Sequence, residues 1–319
     1  GGDVHFKKEE NEWVKMKAGR ANFRLAGVNR EQYPEIPIFK SAPLTLSAEI
    51  FNYFIQNTAF AITNEQSRFT LSGAKFMLAD GVARMVTTDG HRLAFIEKAV
   101  PITGEEKMDA LIPKKALLEL VKISRDSGGD ISFGEDQNHI YFETDGRLLI
   151  TRKLSGNFPN YEMVMPKDNE REVIFDLSEM KSAVRRIALM ADERNRSIRM
   201  TIREGEVEVT AQSSEEGEGA EVVPADYKGE EVTLGFNHQY LQEFLNNVGA
   251  IQTGSSNEAA DVDADAATKE TDGDKVRVKE TNSPTRISFE FKDANAATQM
   301  SISGETTYDY KYIVMPLRI

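Results

Sequence analysis

The string Thr88-Asp89-Gly90-His91-Arg92 is the nearest this chain comes to an active site, because an aspartate two residues from a histidine could share acid and base work. The same residues also read as a turn between two strands. That reading is favoured, since neither a nucleophile nor a metal cluster accompanies them. The sequence has no phosphate-binding loop ending in Gly-Lys-Ser or Gly-Lys-Thr, no nucleophile elbow and no zinc helix with paired histidines. Its four histidines, His5, His91, His139 and His238, are scattered. Asp261, Asp263 and Asp265 imitate the start of a calcium loop, but Ala266 replaces the turn glycine and Asp272 stands where the bidentate glutamate belongs. Zero cysteines exclude disulfides, thiolate metal sites and cysteine nucleophiles. No metal, cofactor or catalytic residue is expected, and the chain is read as non-catalytic.

Charge points instead to binding. The formal net charge is -13, which alone argues against a nonspecific binder of nucleic acid. The acids are concentrated, however, in Glu204, Glu206, Glu208, Glu215, Glu216, Glu218 and Glu221, and then in Glu258, Asp261, Asp263, Asp265, Asp272 and Asp274. Elsewhere the balance is nearly even. Lys114, Lys115, Lys122 and Arg125 decorate one predicted helix, and Lys181, Arg185 and Arg186 another. In one helix this is an ordinary solvated face; basic faces at comparable places in two helices suggest a lining for a phosphate backbone.

The elements that must position these residues follow from periodicity. Val4 to Lys7, Trp13 to Lys17 and Asn22 to Ala26 alternate as strands that cannot close a core alone, so the chain is expected to open inside a domain. Ser47 is placed to cap a helix through about Ala61, with Ile50, Phe51, Phe54 and Ile55 as its apolar stripe. Strands are predicted at Arg68 to Leu78, Val82 to Thr87, Arg92 to Glu97 and Asp109 to Ile112. Pro113 then opens a helix, and after Gly128-Gly129 three strands run to Leu154. The pattern restarts at Val173. Ser178 is placed to cap a helix with Met180, Val184, Ile187, Ala188 and Ala191 inward, and strands are predicted at Ser197 to Arg203, Glu206 to Gln212, Glu218 to Ala225 and Glu231 to Gly235. A helix with Leu241, Phe244, Leu245 and Val248 on one face follows, then strands at Arg286 to Lys292, Thr298 to Ser303 and Tyr312 to Pro316. One module is used twice, and Val164-Met165-Pro166 recurs as Val314-Met315-Pro316. The polar stretch 249–285 reads as a solvent-exposed, mobile acidic insertion.

The string from Val86 to Ala94, then Ile112-Pro113-Lys114-Lys115, Lys153-Leu154, Phe158-Pro159-Asn160-Tyr161, Gly235-Phe236-Asn237 and Tyr312 to Ile319 closely resemble, in order, the bacterial DNA polymerase III beta subunit family. The resemblance implies an α+β fold of tandem clamp domains, each with two helices packed on antiparallel sheets, forming an arc of a ring. It implies a C-terminal remnant of domain one over 1–40, domain two over 41–168 and domain three over 169–319, with most of domain one absent. The family function would be a processivity factor that encircles duplex DNA without sequence preference. It would tether the replicative polymerase, and bind the clamp loader and repair proteins, through short linear peptides. The full-length form would be a homodimer in the cytoplasm, in keeping with the lack of an export signal in Gly1 to Glu10 and of any long apolar run.

Carried over by position, the peptide pocket would use Leu71, Thr88, Gly90, His91, Arg92, Leu93, Pro159, Val164, Asn237, Tyr240, Ile313, Met315, Pro316, Leu317 and Arg318. Arg92, Asn237 and backbone groups would orient the peptide. Met163 and Asn195 stand where the family has an arginine and an aromatic, so the rim differs. Residues facing DNA would be Arg68, Phe69, Lys114, Lys115, Lys122, Lys181, Arg185, Arg186, Arg194 and Arg196. Two alternatives stand beside this reading: a peptide-docking module that does not encircle DNA, and a hydrolase-like site around Asp89 and His91 that lacks its nucleophile.

Overall fold

The computed structural model describes residues 2–33, 38, 44–65, 67–101, 107–125, 128–248, 285–304 and 306–318. The acidic insertion and its calcium-like aspartates therefore lie outside the described residues, apart from Thr285. The chain divides into two compact units, Gly1–Lys40 and Ser41–Ile319.

The first unit holds one antiparallel sheet of β1 (Val4–Lys8), β2 (Trp13–Ala18) and β3 (Ala21–Ala26). Phe6 lies opposite Met16, and Met16 opposite Phe23, so the apolar positions share a face by the two-residue repeat of a strand. Phe6, Phe23 and Leu25 are nevertheless exposed. On the opposite face the Arg24 guanidinium lies 4.4 Å from the Trp13 ring centre and Arg24 Nε donates to Glu9 at 3.0 Å.

The second unit repeats one element order. Its first half runs β4 (Leu44–Ser47), α1 (Ala48–Thr58), β5 (Gly73–Ala79), β6 (Val82–Thr88), β7 (Arg92–Ala99), β8 (Met108–Pro113), α2 (Lys114–Ser124), β9 (Asp130–Glu135), β10 (His139–Thr144) and β11 (Arg147–Arg152). Its second half runs β12 (Arg171–Asp176), α3 (Leu177–Ile187), β13 (Ser197–Arg203), β14 (Glu206–Ser213), β15 (Gly217–Asp226), β16 (Val232–Asn237), α4 (His238–Val248), β17 (Arg286–Phe291), β18 (Thr298–Ile302) and β19 (Asp309–Val314). Helix α1 packs on α2 and α3 on α4, and α1 also meets α4 across the halves. The apolar stripes of these helices face the sheets. In the first half Phe51 lies 5.1 Å from Phe133 and 5.9 Å from Phe142, both edge-on, while in the second Phe244 stacks on Tyr312 at 5.0 Å. Each such ring contributes about 2 kcal/mol by leaving water.

Among the described residues the halves share one sheet, in the order β16-β13-β14-β15-β12-β17-β18-β19-β7-β6-β5-β8; β11-β10-β9-β4 forms another. The seam is β19 against β7, with Tyr312 opposite Ala94, Ile313 opposite Leu93 and Val314 opposite Arg92. Tyr310 hydroxyl donates to the Asn57 carbonyl at 2.9 Å, and Tyr308 stacks on Tyr53 at 3.8 Å. The C-terminal strand is thus built into the first half's core.

Four local expectations need correction. Residues 69–71 form a short 3-10 turn, and the strand predicted from Arg68 begins at Gly73; Leu71 N–H donates to the Arg68 carbonyl at 3.0 Å, which closes the turn. Helix α3 is capped by Asp176, whose carboxylate accepts from Glu179 N–H at 2.9 Å; Ser178 instead donates its hydroxyl to that carboxylate at 2.7 Å. Ala183 takes the buried place expected for Ala188, which begins a 3-10 turn and is half-buried. The last strand ends at Val314, so Pro316 lies beyond it.

Candidate functional site

The turn from Thr88 to Arg92 is organised by its own side chains. Asp89 Oδ1 accepts from His91 N–H at 3.0 Å and Arg92 N–H at 3.1 Å, while Asp89 Oδ2 accepts from Arg92 Nε at 3.0 Å. The carboxylate thus holds the turn, and the bond it makes to His91 is to the backbone N–H. Gly90 has φ +90, where a side chain would be strained, and an added Cβ would stand 2.9 Å from Arg68 Nη1. Arg68 uses that nitrogen to donate to the Asp89 carbonyl at 2.8 Å. Two backbone bonds bring in the C-terminal segment: Met315 N–H donates to the His91 carbonyl at 3.1 Å, and Leu317 N–H to the Gly235 carbonyl at 2.8 Å.

These bonds shape a groove of about 260 Å³ between the turn, residues 159–164 and the end of β19. Of the expected pocket residues, Leu71, Thr88, Gly90, His91, Arg92, Leu93, Pro159, Val164, Ile313 and Met315 line it. Asn237, Tyr240, Pro316, Leu317 and Arg318 do not. Asn160 and Tyr161 line it and were not expected there, although both belong to a string that carries the family resemblance. The floor is apolar and buried, with Leu93, Ile313 and Tyr161 in one cluster, while Val164 and Met315 stay about half exposed at the rim. Met163 is 81% exposed beside Val164.

The two side chains expected to orient a peptide each make bonds within the protein. Arg92 is buried; it forms ion pairs with Asp89 and with Glu243 of α4, and donates to the Phe60 carbonyl at 2.8 Å. Its guanidinium also lies 4.4 Å from the Tyr240 ring centre. Burial works against its charge, but Tyr312 and Glu243 outweigh that and hold its pKa above the usual value. Asn237 Oδ1 accepts from Gln239 N–H at 3.0 Å at the start of α4. Arg92 thereby supports the groove's architecture, because a buried guanidinium needs its donors satisfied.

The basic residues are dispersed over several elements. Lys114 donates to Asn64 at 3.0 Å and to the Ile62 carbonyl at 3.4 Å; burial lowers its pKa, Arg92 adds to that and Glu243 opposes it. Lys122 pairs with Glu119 at 2.8 Å, Arg186 forms an ion pair with Glu221 of β15, and Arg196 hydrogen-bonds Gln239. Lys115, Arg185 and Arg194 are exposed, as is Phe69, and Lys181 is half-buried. A depression of about 610 Å³ among α1, α2 and α4 carries Lys114 and Arg125 on its lining. Among the described residues no group of three or more histidine, aspartate or glutamate side chains could hold a metal ion, and no helix is long and apolar enough to cross a membrane.

Residues 45–160 match the family model described as DNA polymerase III beta subunit, central domain, and residues 162–254 match the one described as DNA polymerase III beta subunit, C-terminal domain. The chain belongs to the DNA polymerase III beta subunit family. A beta sliding clamp from Pseudomonas putida is 31% identical over 243 residues, which are 75% of this chain and 65% of that protein. The chain therefore spans about two thirds of the length of this curated relative. Among solved structures, the beta subunit of Pseudomonas aeruginosa superposes with a TM-score of 0.81 at 24% identity, covering 99% of this chain and 77% of that one, which is a likeness of fold. A sliding clamp from Bartonella birtlesii, bound to griselimycin, superposes with a TM-score of 0.80 at 25% identity, covering 100% of this chain and 77% of that one. In this member of the beta subunit family, the groove beside the Arg92 turn gathers most of the site residues expected from the family strings.

Proposed function

We propose that this chain is a non-catalytic sliding clamp, with clamp domains over 41–168 and 169–319, that encircles duplex DNA in the cytoplasm and tethers the replicative polymerase and other partners by short peptides. The observation that carries this reading is the groove itself: residues from the strings of the family resemblance converge on one apolar depression floored by Leu93, Tyr161 and Ile313. Such a surface suits an extended peptide with apolar anchors. Exposed cations on α2 and α3 would supply weak attachment to phosphates, and confinement by a ring would provide retention without sequence reading. Tethering raises a partner's local concentration, which is processivity without chemistry. A homodimer would close the ring, and the clamp loader and repair proteins would share the groove with the polymerase.

A second reading, a docking module that does not encircle DNA, is favoured by one feature: the groove lies wholly within 41–319, so docking does not require the first unit. The test is native mass by light scattering together with retention on nicked circular and linearised DNA, with griselimycin titrated separately by calorimetry. A dimer held on circles and lost from linear ends supports the clamp. Griselimycin binding with no topology-dependent retention leaves the docking module alone.

A further inference from the structure

The groove's outer wall is a segment with little regular structure. Between β11 and β12 the chain carries Pro159, Asn160 and Val164 past the sheet, and only a short 3-10 turn, Tyr161–Met163, interrupts it. Asn160 caps that turn by accepting from Glu162 N–H at 3.2 Å, and Val164 N–H donates to the Tyr161 carbonyl at 3.1 Å. Both bonds are internal to the segment. The ends of the segment are tied by Leu154 N–H to the Leu111 carbonyl of β8 at 3.0 Å and by Asn169 Nδ2 to the Glu290 carbonyl of β17 at 3.1 Å. Between them, among the described residues of 155–168, the hydrogen bond that ties it to the sheet runs from Arg84 Nη1 on β6 to the Tyr161 hydroxyl at 2.9 Å.

Arg84 is held from the sheet side. Its Nε donates to Glu97 of β7 at 2.6 Å and its guanidinium lies 5.4 Å from the Phe95 ring centre. Phe95 in turn lies 6.1 Å from the Tyr161 ring, and Val86, Leu93 and Ile313 complete the apolar cluster around it. Apolar packing is nondirectional and would tolerate the wall at several positions, whereas a hydrogen bond from an oriented guanidinium selects one. We infer that Arg84 is a positioning residue for the docking groove: acting through the Tyr161 hydroxyl, it sets the distance of the 159–164 wall from the Arg92 turn and from Met315. This rests on the docking reading above. A peptide entering a wall already held in place has less to order, so the bond is felt as affinity although Arg84 itself does not line the groove.

The test compares Tyr161→Phe, Arg84→Met and the double variant with the wild-type chain, measuring griselimycin affinity by calorimetry and amide hydrogen exchange across 158–165. Each single variant is expected to weaken binding about five-fold, the size of one hydrogen bond removed. The double variant should bind no more weakly than either single, because both remove the same bond. Exchange should quicken in 158–165 and stay unchanged in α1 to α4. Wild-type binding with unchanged affinity in both single variants, or with effects that simply multiply in the double, overturns the positioning role alone. A wild-type chain that does not bind griselimycin overturns the docking reading and the role of Arg84 with it.

Discussion

Arg92 on β7 and Glu243 on α4 form a direct ion pair although 151 residues separate them, and the pair closes behind the groove where the two halves of the second unit meet. The Arg92 side chain is 6% exposed, so its charge depends on Glu243, Asp89 and the Phe60 carbonyl. Arg92→Met would leave two carboxylates without their counter-charge and is expected to cost about 3 kcal/mol, with Glu243→Gln costing about 1 kcal/mol. Urea unfolding followed by circular dichroism checks both. Equal stability of Arg92→Met and wild type would show that the pair is not a structural tie between the halves.

Rim and floor of the groove should behave differently. Met315 is about half exposed, so under the proposed docking reading Met315→Ala is expected to leave stability almost unchanged while weakening griselimycin binding roughly ten-fold. Leu93 is buried in the floor, and Leu93→Ala is expected to cost about 3 kcal/mol of folding stability as well as binding. Thermal unfolding and calorimetric titration of both variants separate these effects.

Under the proposed clamp reading, the exposed cations are expected to matter more for DNA than those already paired. Removing Lys115 or Arg185 should reduce the slope of log affinity against log salt by about one for each phosphate no longer neutralised. Arg186→Ala should change it less, because that guanidinium is engaged by Glu221. Fluorescence anisotropy on a duplex over a salt series measures the slopes, and an effect of Arg186→Ala as large as that of Arg185→Ala would contradict this ordering.

The turn between β9 and β10 should confer a two-sided pH dependence. The Tyr141 hydroxyl, then the backbone N–H groups of Asn138 and His139, hold the Asp136 carboxyl well below the usual range. Its folded pKa is depressed, so its contribution is present above the unfolded value of 3.8 and is lost as pH falls toward the folded value. The same bond to Asp136 is the main cause that pushes Tyr141 up to about 12. That contribution is present below pH 10 and is lost between pH 10 and 12. Asp136→Asn should flatten both ends of a stability profile measured by thermal unfolding in buffers from pH 2 to 12.

The repeat was legible in the sequence because strand alternation and helical stripes are local. Phe51, Phe54 and Ile55, or Leu241, Phe244 and Leu245, can be placed on one face without any partner in view. Thr88 to Arg92 was also legible as a turn, since Asp and Gly at those positions satisfy the backbone within five residues. Ser178 misled for the same local reason: Asp176 and Ser178 are both competent caps, and only the strand end at Asp176 decides which carboxylate or hydroxyl meets the free N–H.

The two-module α+β architecture, the absence of cysteine chemistry and most of the groove's lining could be read along the chain, because those depend on residue type, period and family strings. Packing in three dimensions was needed to turn Arg92 toward Glu243, to bond the Asn237 Oδ1 at the start of α4, to tie Arg186 to Glu221, and to bring Tyr161 into the groove's floor with Arg84 behind it. Each of those outcomes is a competition for a charged or polar group among partners that lie from 2 to 151 residues away. Which partner wins is set by distance and burial once β19 has paired with β7, and neither quantity can be read from spacing along the chain.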